Sequence, residues 1–269
     1  MPNQRPREPA DESSPEAVKA WIQGHGYGTE HTTARVMGAY GFLARQGITY
    51  RDRKTDKARD VDVLASLRAN RLGAVEMHVV VECKKSPKAW ITRTSAVAPG
   101  KGRQVWSPIA ARSVRDYVAT YPVHRDSLPL PTPVAFDVIE THFERRDVSN
   151  PAYEAISQAV SAASGLQASL AQFPNAAMFH PVVVLEGTLY RVAFVGTDVT
   201  VTEILHERVH WSSSHNLDSP VLVDVVTLGG LPDFAPTLRH ELTTLVDDLA
   251  LANEPFLQDG EGGPFIAWG

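Results

Sequence analysis

Asp62 stands between Val61 and Val63, and after nineteen intervening residues Glu82, Cys83 and Lys84 close the apolar run Val79-Val80-Val81. A carboxylate inside one β-branched run, and a carboxylate and an ammonium at the end of another, are costly in a sheet unless they are paired or bind a metal. Side chains alternate along a strand. Val79, Val81 and Cys83 are therefore expected to pack inward, and Val80, Glu82 and Lys84 to look toward a cleft. If strands over 61–67 and 78–84 pair antiparallel, Asp62 falls beside Glu82 at one end of the sheet. Two carboxylates and the backbone carbonyl of Cys83 make a hard oxygen set of the kind that Mg²⁺ or Mn²⁺ takes. An ion there polarises a phosphate oxygen, while Lys84 holds the attacking water and offsets developing charge. This is the chemistry of phosphodiester hydrolysis. Two blander readings compete: Glu82 and Lys84 as an exposed strand pair that keeps an edge soluble, and Asp62 as a satisfied structural aspartate. Asp60 lies on the same strand face as Asp62 and competes with it; the apolar flanks favour Asp62.

The surrounding elements must position these groups. Helices are expected over 15–23 and 29–46, the second with Val36, Tyr40 and Leu43 as an apolar stripe, Thr29 as N-cap and Gly47 as C-cap. Strands are expected over 47–53, 61–67 and 78–84, and a further strand over 133–143. SPIAARSVRDYVATY (107–121) reads as a helix, and 152–173 as a longer one rich in alanine. HPVVVLEG and TLYRVAFVG (180–196) read as a hairpin turning near Glu186-Gly187, VLVDVVTL (221–228) as a strand, and 234–252 as a closing amphipathic helix. The expected architecture is a single α/β domain over 16–255. It has a central mixed sheet flanked by helices, an insertion at about 93–135, and loose tails at 1–15 and 256–269.

The chain has 269 residues, enough to bury a sizeable core without staples. Cys83 is its single cysteine, so no internal disulfide forms. No signal-peptide pattern and no membrane-length apolar run is present, and a cytoplasmic protein is expected. The net charge of −5 is unevenly spread. Residues 51–103 hold 13 Lys and Arg against 6 Asp and Glu, whereas 201–269 hold 2 against 11. Lys85, Lys88 and Arg93, with Lys101 and Arg103, could line a phosphate groove. Trp90 could stack on a base, although a tryptophan there more often anchors its loop to the core.

The spacing Asp62…Glu82-Cys83-Lys84, within RDVDVLA…VVVECKKSPKAW, resembles the PD-(D/E)xK signature of restriction-endonuclease-like nucleases, most closely the Mrr-type restriction endonucleases. The resemblance covers about residues 24–92. It departs from the pattern in one place: Val61, not proline, precedes Asp62. It implies a restriction-endonuclease-like core in α-β-β-β-α-β order with C-terminal elaboration, and a later αβ unit (152–196) to complete it. It also implies metal-dependent cleavage of DNA, a role in defence against foreign DNA, and a partner protein. In that family a glutamate of the first helix often joins the metal shell; Glu30 holds that position, on a stripe with Ala34, Met37 and Gly41. Cutting both strands usually takes two active sites, which makes a homodimer reasonable. The alternative is a catalytically silent nuclease fold that binds nucleic acid or a partner.

His206-Glu207-Arg208-Val209-His210 fits H-E-x-x-H, with His215 beyond, a zinc-protease pattern when it lies on a helix. The β-branched approach VTVTEIL and the cation Arg208 between the would-be ligands argue against that reading.

Overall fold

The computed structural model describes residues 13–24, 26–53, 55–68, 75–95, 109–110, 135–141, 150–170, 176–211 and 221–258. Two helices open it, α1 (Pro15–Gly24) and α2 (Tyr27–Ala39). Strands β1 (Leu43–Arg45), β2 (Ile48–Arg51), β3 (Ala58–Val61), β4 (Val63–Arg68), β5 (Val75–Lys85), β6 (Trp90–Ser95), β7 (Ile109–Ala110) and β8 (Ala135–Glu140) follow. Helix α3 (Pro151–Leu170) leads into β9 (Ala176–Glu186), β10 (Leu189–Val195), β11 (Asp198–Ile204), β12 (His206–Trp211) and β13 (Val221–Thr227). Helix α4 (Leu231–Gln258) closes the chain.

The protein is α/β, with a large mixed sheet in the order β1-β4-β5-β9-β13-β12-β8-β6-β10-β11; β7 lies beside the first half of β9. Strands β2 and β3 form a separate hairpin. Both faces of the central strands are covered. Val79 and Val81 join Met37 of α2 and Leu238 of α4 in one core cluster. Val80 joins Ile156 and Ala159 of α3 in the other. Val80 is fully buried rather than facing a cleft, because α3 lies over that side of β5. The open ground begins only at Glu82, where the strand runs past the helix cover.

Helix α2 ends earlier than the apolar stripe predicts. Gly41 takes a φ of 84°, the left-handed region that glycine adopts without strain. The chain turns there, and Leu43 starts β1 instead of extending the helix. Gly47, expected to cap it, turns β1 into β2 at a φ of 68°. Thr29 is not the N-cap either; Gly26 occupies that position and Thr29 lies inside the first turn.

The expected hairpin at Glu186-Gly187 does not form. β9 and β10 are consecutive yet unpaired: β9 runs parallel to β5, and β10 parallel to β6. The two-strand ribbon turns a corner as a unit. Ser86 N–H donates to the Glu186 carbonyl at 3.1 Å and Trp90 N–H to that of Thr188 at 2.9 Å, carrying the ladder through the bend. A Cβ on Gly187 would lie 2.8 Å from the Ser86 carbonyl oxygen, so this close approach needs glycine.

Of the helix expected over 107–121, Ile109 and Ala110 are strand β7, and the rest lies outside the described residues. So do Lys101, Arg103, His215 and the tails, apart from residues 13–15 and the end of α4. Among the described residues, no helix is long and apolar enough to cross a membrane.

Candidate metal and phosphate site at the ends of two parallel strands

The antiparallel register of β4 and β5 ends with Val63 opposite Val81, so Asp62 and Glu82 are the next residues beyond that last pair. Asp62 is not in mid-strand. It occupies a bend that splits 58–68 between two sheets: β3 pairs with β2, and β4 with β5. Leaving the strand at this point frees the carboxylate to turn in, and its Oδ2 accepts the Cys83 N–H at 2.7 Å. Two residues earlier, Asp60 is exposed and accepts from Thr49 across the hairpin.

Glu82 and Lys84 share a strand face and form an ion pair, Nζ to Oε1 2.7 Å. Glu82 is largely buried and Lys84 about a third exposed. Burial pushes the Glu82 carboxyl up to about 7; Asp62 and Glu30 add to the shift, and Lys84 opposes it. Asp62 is also raised, by burial first, with Asp60 adding; the Cys83 N–H and Lys84 pull it back. Glu30, in the first turn of α2, is raised by burial and then by Asp62, against a hydrogen bond from Gln46. Each of the three carboxyls feels at least one of the others. Among the described residues, no group of three His, Cys, Asp or Glu is placed to hold a metal ion, so Glu30 is not brought into one ligand set with Asp62 and Glu82. The donor chemistry still fits a hard divalent cation: Asp62 and Glu82 are neighbouring, half-buried carboxyls made costly by lost hydration and mutual repulsion, which one cation would relieve.

Cys83 points to the opposite face, beside the α2–α4 core, with its Sγ 3.7 Å from the Thr33 hydroxyl. Burial pushes its thiol pKa up, which leaves it a packing residue.

The strain at Glu82 makes a pH-dependent prediction. Folded Glu82 holds its proton up to about 7, against 4.5 ordinarily. Its contribution to stability is therefore full below about 4.5 and is lost as pH rises through about 7. Glu82→Gln is expected to raise the melting temperature of the metal-free protein by a few degrees at about pH 8 and to change it little at about pH 5. Equal shifts at both pH values in a thermal scan would contradict the assignment.

Among the described residues, the basic side chains that follow the motif are engaged. Lys85 pairs with Glu186 at 2.6 Å, Lys88 with Glu140 at 3.8 Å, and Arg93 with Asp137 at 2.8 Å while resting over Phe136. A phosphate would have to compete with these carboxylates. Trp90 is fully buried in the core on the α3 side, where no base can stack on it.

Two residues near the site were not anticipated. Tyr50, on the β2–β3 hairpin, is buried against α3, and its hydroxyl pKa is pushed up to about 12 by burial and by Asp52, with Glu82 and Asp62 contributing. Glu186 ends β9 and accepts from the hydroxyl of Thr29, the residue before Glu30. The signal for Glu186 was present: PVVVLE repeats the pattern of VVVEC, an apolar run ending on a carboxylate, and the two runs lie side by side.

His206–His210 is strand β12, not helix. Residues i and i+4 of a strand lie about 13 Å apart, too far to share one zinc ion. His206 and Arg208 bind Asp224, and Glu207 turns to the other face to bind Arg191 at 2.5 Å.

No family model, no curated protein and no solved structure matches the chain.

Proposed function

We propose that the protein is a metal-dependent endonuclease that hydrolyses DNA phosphodiester bonds at the ends of β4 and β5. The observation that carries this reading is the juxtaposition of Asp62, held by the Cys83 N–H, with the Glu82–Lys84 ion pair. The element order supports it. With the β2–β3 hairpin and β6–β8 taken as insertions, α2, β1, β4, β5, α3 and β9 run α-β-β-β-α-β, and β9 lies parallel to β5. That is the order a restriction-endonuclease-like core implies.

Asp62, Glu82 and the Cys83 carbonyl would hold Mg²⁺ or Mn²⁺, with Glu30 as a further ligand from α2. When bound, the ion polarises a phosphate oxygen and acidifies a water. Lys84 acts on the same reaction from the chain. Its ammonium holds the attacking water and stabilises charge as the water oxygen bonds to phosphorus and a P–O ester bond breaks. The proton that the attacking water gives up passes to solvent, and the departing oxygen takes one from solvent and leaves as a hydroxyl. A role in defence against foreign DNA, with a partner protein, belongs to the same reading.

A second reading is a module that keeps the fold and binds nucleic acid or a partner without cutting; the pairing of Lys85, Lys88 and Arg93 with carboxylates favours the partner over nucleic acid within it. Incubation of supercoiled plasmid with the protein separates the two. The endonuclease reading expects nicked and linear product with Mg²⁺, none with EDTA, and none from Asp62→Asn. An unchanged plasmid with Mg²⁺ and with Mn²⁺, alongside retained DNA binding, leaves the binding module.

A further inference from the structure

The three carboxyls at the site repel one another, so the first turn of α2, which carries Glu30, needs an anchor. Thr29 and Thr33 are both buried on the face of α2 that meets the sheet. Thr33 accepts a weak, long contact from the Cys83 thiol at 3.7 Å. Thr29 makes the strong contact: its hydroxyl donates to Glu186 Oε2. The other oxygen, Oε1, pairs with Lys85 at 2.6 Å, and Lys85 directly follows Lys84. One carboxylate thus joins the helix that carries Glu30, the strand that carries Glu82 and Lys84, and its own strand β9. Lys85 and the Thr29 hydroxyl hold this carboxyl below the usual range, so it stays charged where its neighbours are pushed up.

We propose that Glu186 is a positioning residue that fixes the first turn of α2, and with it Glu30, at the metal-facing end of the sheet. The proposal rests on the reading of Glu30 as a metal ligand. Glu186 itself is turned to Thr29 and Lys85 and is not placed among the ligands. Its action runs through the Thr29 hydroxyl, so removing that hydroxyl alone should reproduce the loss of Glu186.

The test has two readouts on the full chain. The first is hydrogen exchange of the metal-free protein over residues 27–33. Thr29→Val keeps the side-chain shape and removes the donor, and it is expected to speed exchange severalfold there while strands β5 and β9 stay protected. Thr29→Ser restores the donor and is expected to return exchange to that of the parent. The second readout is Mn²⁺ affinity by titration calorimetry. Thr29→Val and Glu186→Ala are each expected to weaken Mn²⁺ binding about tenfold, the usual scale for groups that orient ligands. Adding either to Glu30→Gln is expected to cost nothing further. Parent-like exchange in Thr29→Val overturns the proposal whatever the metal does. So does full additivity with Glu30→Gln. Faster exchange with no Mn²⁺ binding by the parent would instead remove the metal reading, and with it the Glu30 half of the proposal.

Discussion

Lys84→Ala is expected to lower plasmid cleavage by on the order of 10³-fold while leaving the fold intact. The ammonium is about a third exposed and sits at a strand end, so its removal opens no cavity in the core. What it removes is the cation that, among the described residues, is held against Glu82 at the end of β5. Without it the Glu82 carboxyl rises further, since Lys84 is the chief influence holding it down. Metal then has to displace a proton more often, and the variant should need more Mg²⁺ as well as turn over more slowly. Lys84→Arg keeps the charge but presents a planar fork in place of a compact ammonium, and should recover only part of the rate. Cleavage by Lys84→Ala at the parent rate would show that the ion pair is a surface device and not part of a reaction.

The largest expected effect on stability lies away from the site, at Arg208→Ala. Asp224 is fully buried in the middle of β13. Arg208 grips it through Nε at 2.8 Å and Nη2 at 3.0 Å, and reaches Glu241 of α4 with the same Nη2 at 3.0 Å. His180 and His206 add contacts to Asp224 at 2.6 and 2.8 Å. Burial alone would raise the Asp224 carboxyl, yet Arg208, His206 and His180 together hold it well below the usual carboxylate range. Removing Arg208 leaves a charge in the core with too few partners, a loss of about 3–5 kcal/mol by the usual cost of breaking a buried pair. Urea unfolding at neutral pH reads this directly. Because the Asp224 pKa is depressed, its contribution is present above about 3.8 and is lost only as pH falls well below that value. The parent should therefore keep this part of its stability into mild acid. A loss of under about 1 kcal/mol in Arg208→Ala would mean that water reaches Asp224 and that the pair is not buried in solution.

The parts of the fold that the sequence disclosed are those governed by local pattern. VVVECK is a strand because β-branched residues favour one, and its alternation places Glu82 and Lys84 on one face, as observed. The alanine-rich helix and the closing amphipathic helix were legible for the same reason. The misreadings come where one residue changes direction. With the turn at Gly41, α2 ends at Ala39, seven residues before the expected end at 46. Asp62 looked like a strand residue because its flanks are strand residues, but the flanks belong to different sheets. Nothing local distinguishes Gly187 as the bend of a parallel ribbon from Gly187 as a hairpin turn; that depends on β6 and β5 lying alongside, a hundred residues earlier. The partners of Lys85, Lys88 and Arg93 are hidden for the same reason, since Glu186, Glu140 and Asp137 are distant in sequence. The nearness of Asp62 to Glu82 was legible because hairpin register follows from neighbouring strands alone.

Anomalous diffraction from crystals soaked in Mn²⁺ bears most directly on the central claim. A single strong peak within coordination distance of an Asp62 carboxylate oxygen, a Glu82 carboxylate oxygen and the Cys83 carbonyl is the predicted result, lost in Asp62→Asn. Crystals that bind Mn²⁺ elsewhere, or nowhere, while residues 62 and 82 keep their present arrangement would contradict it.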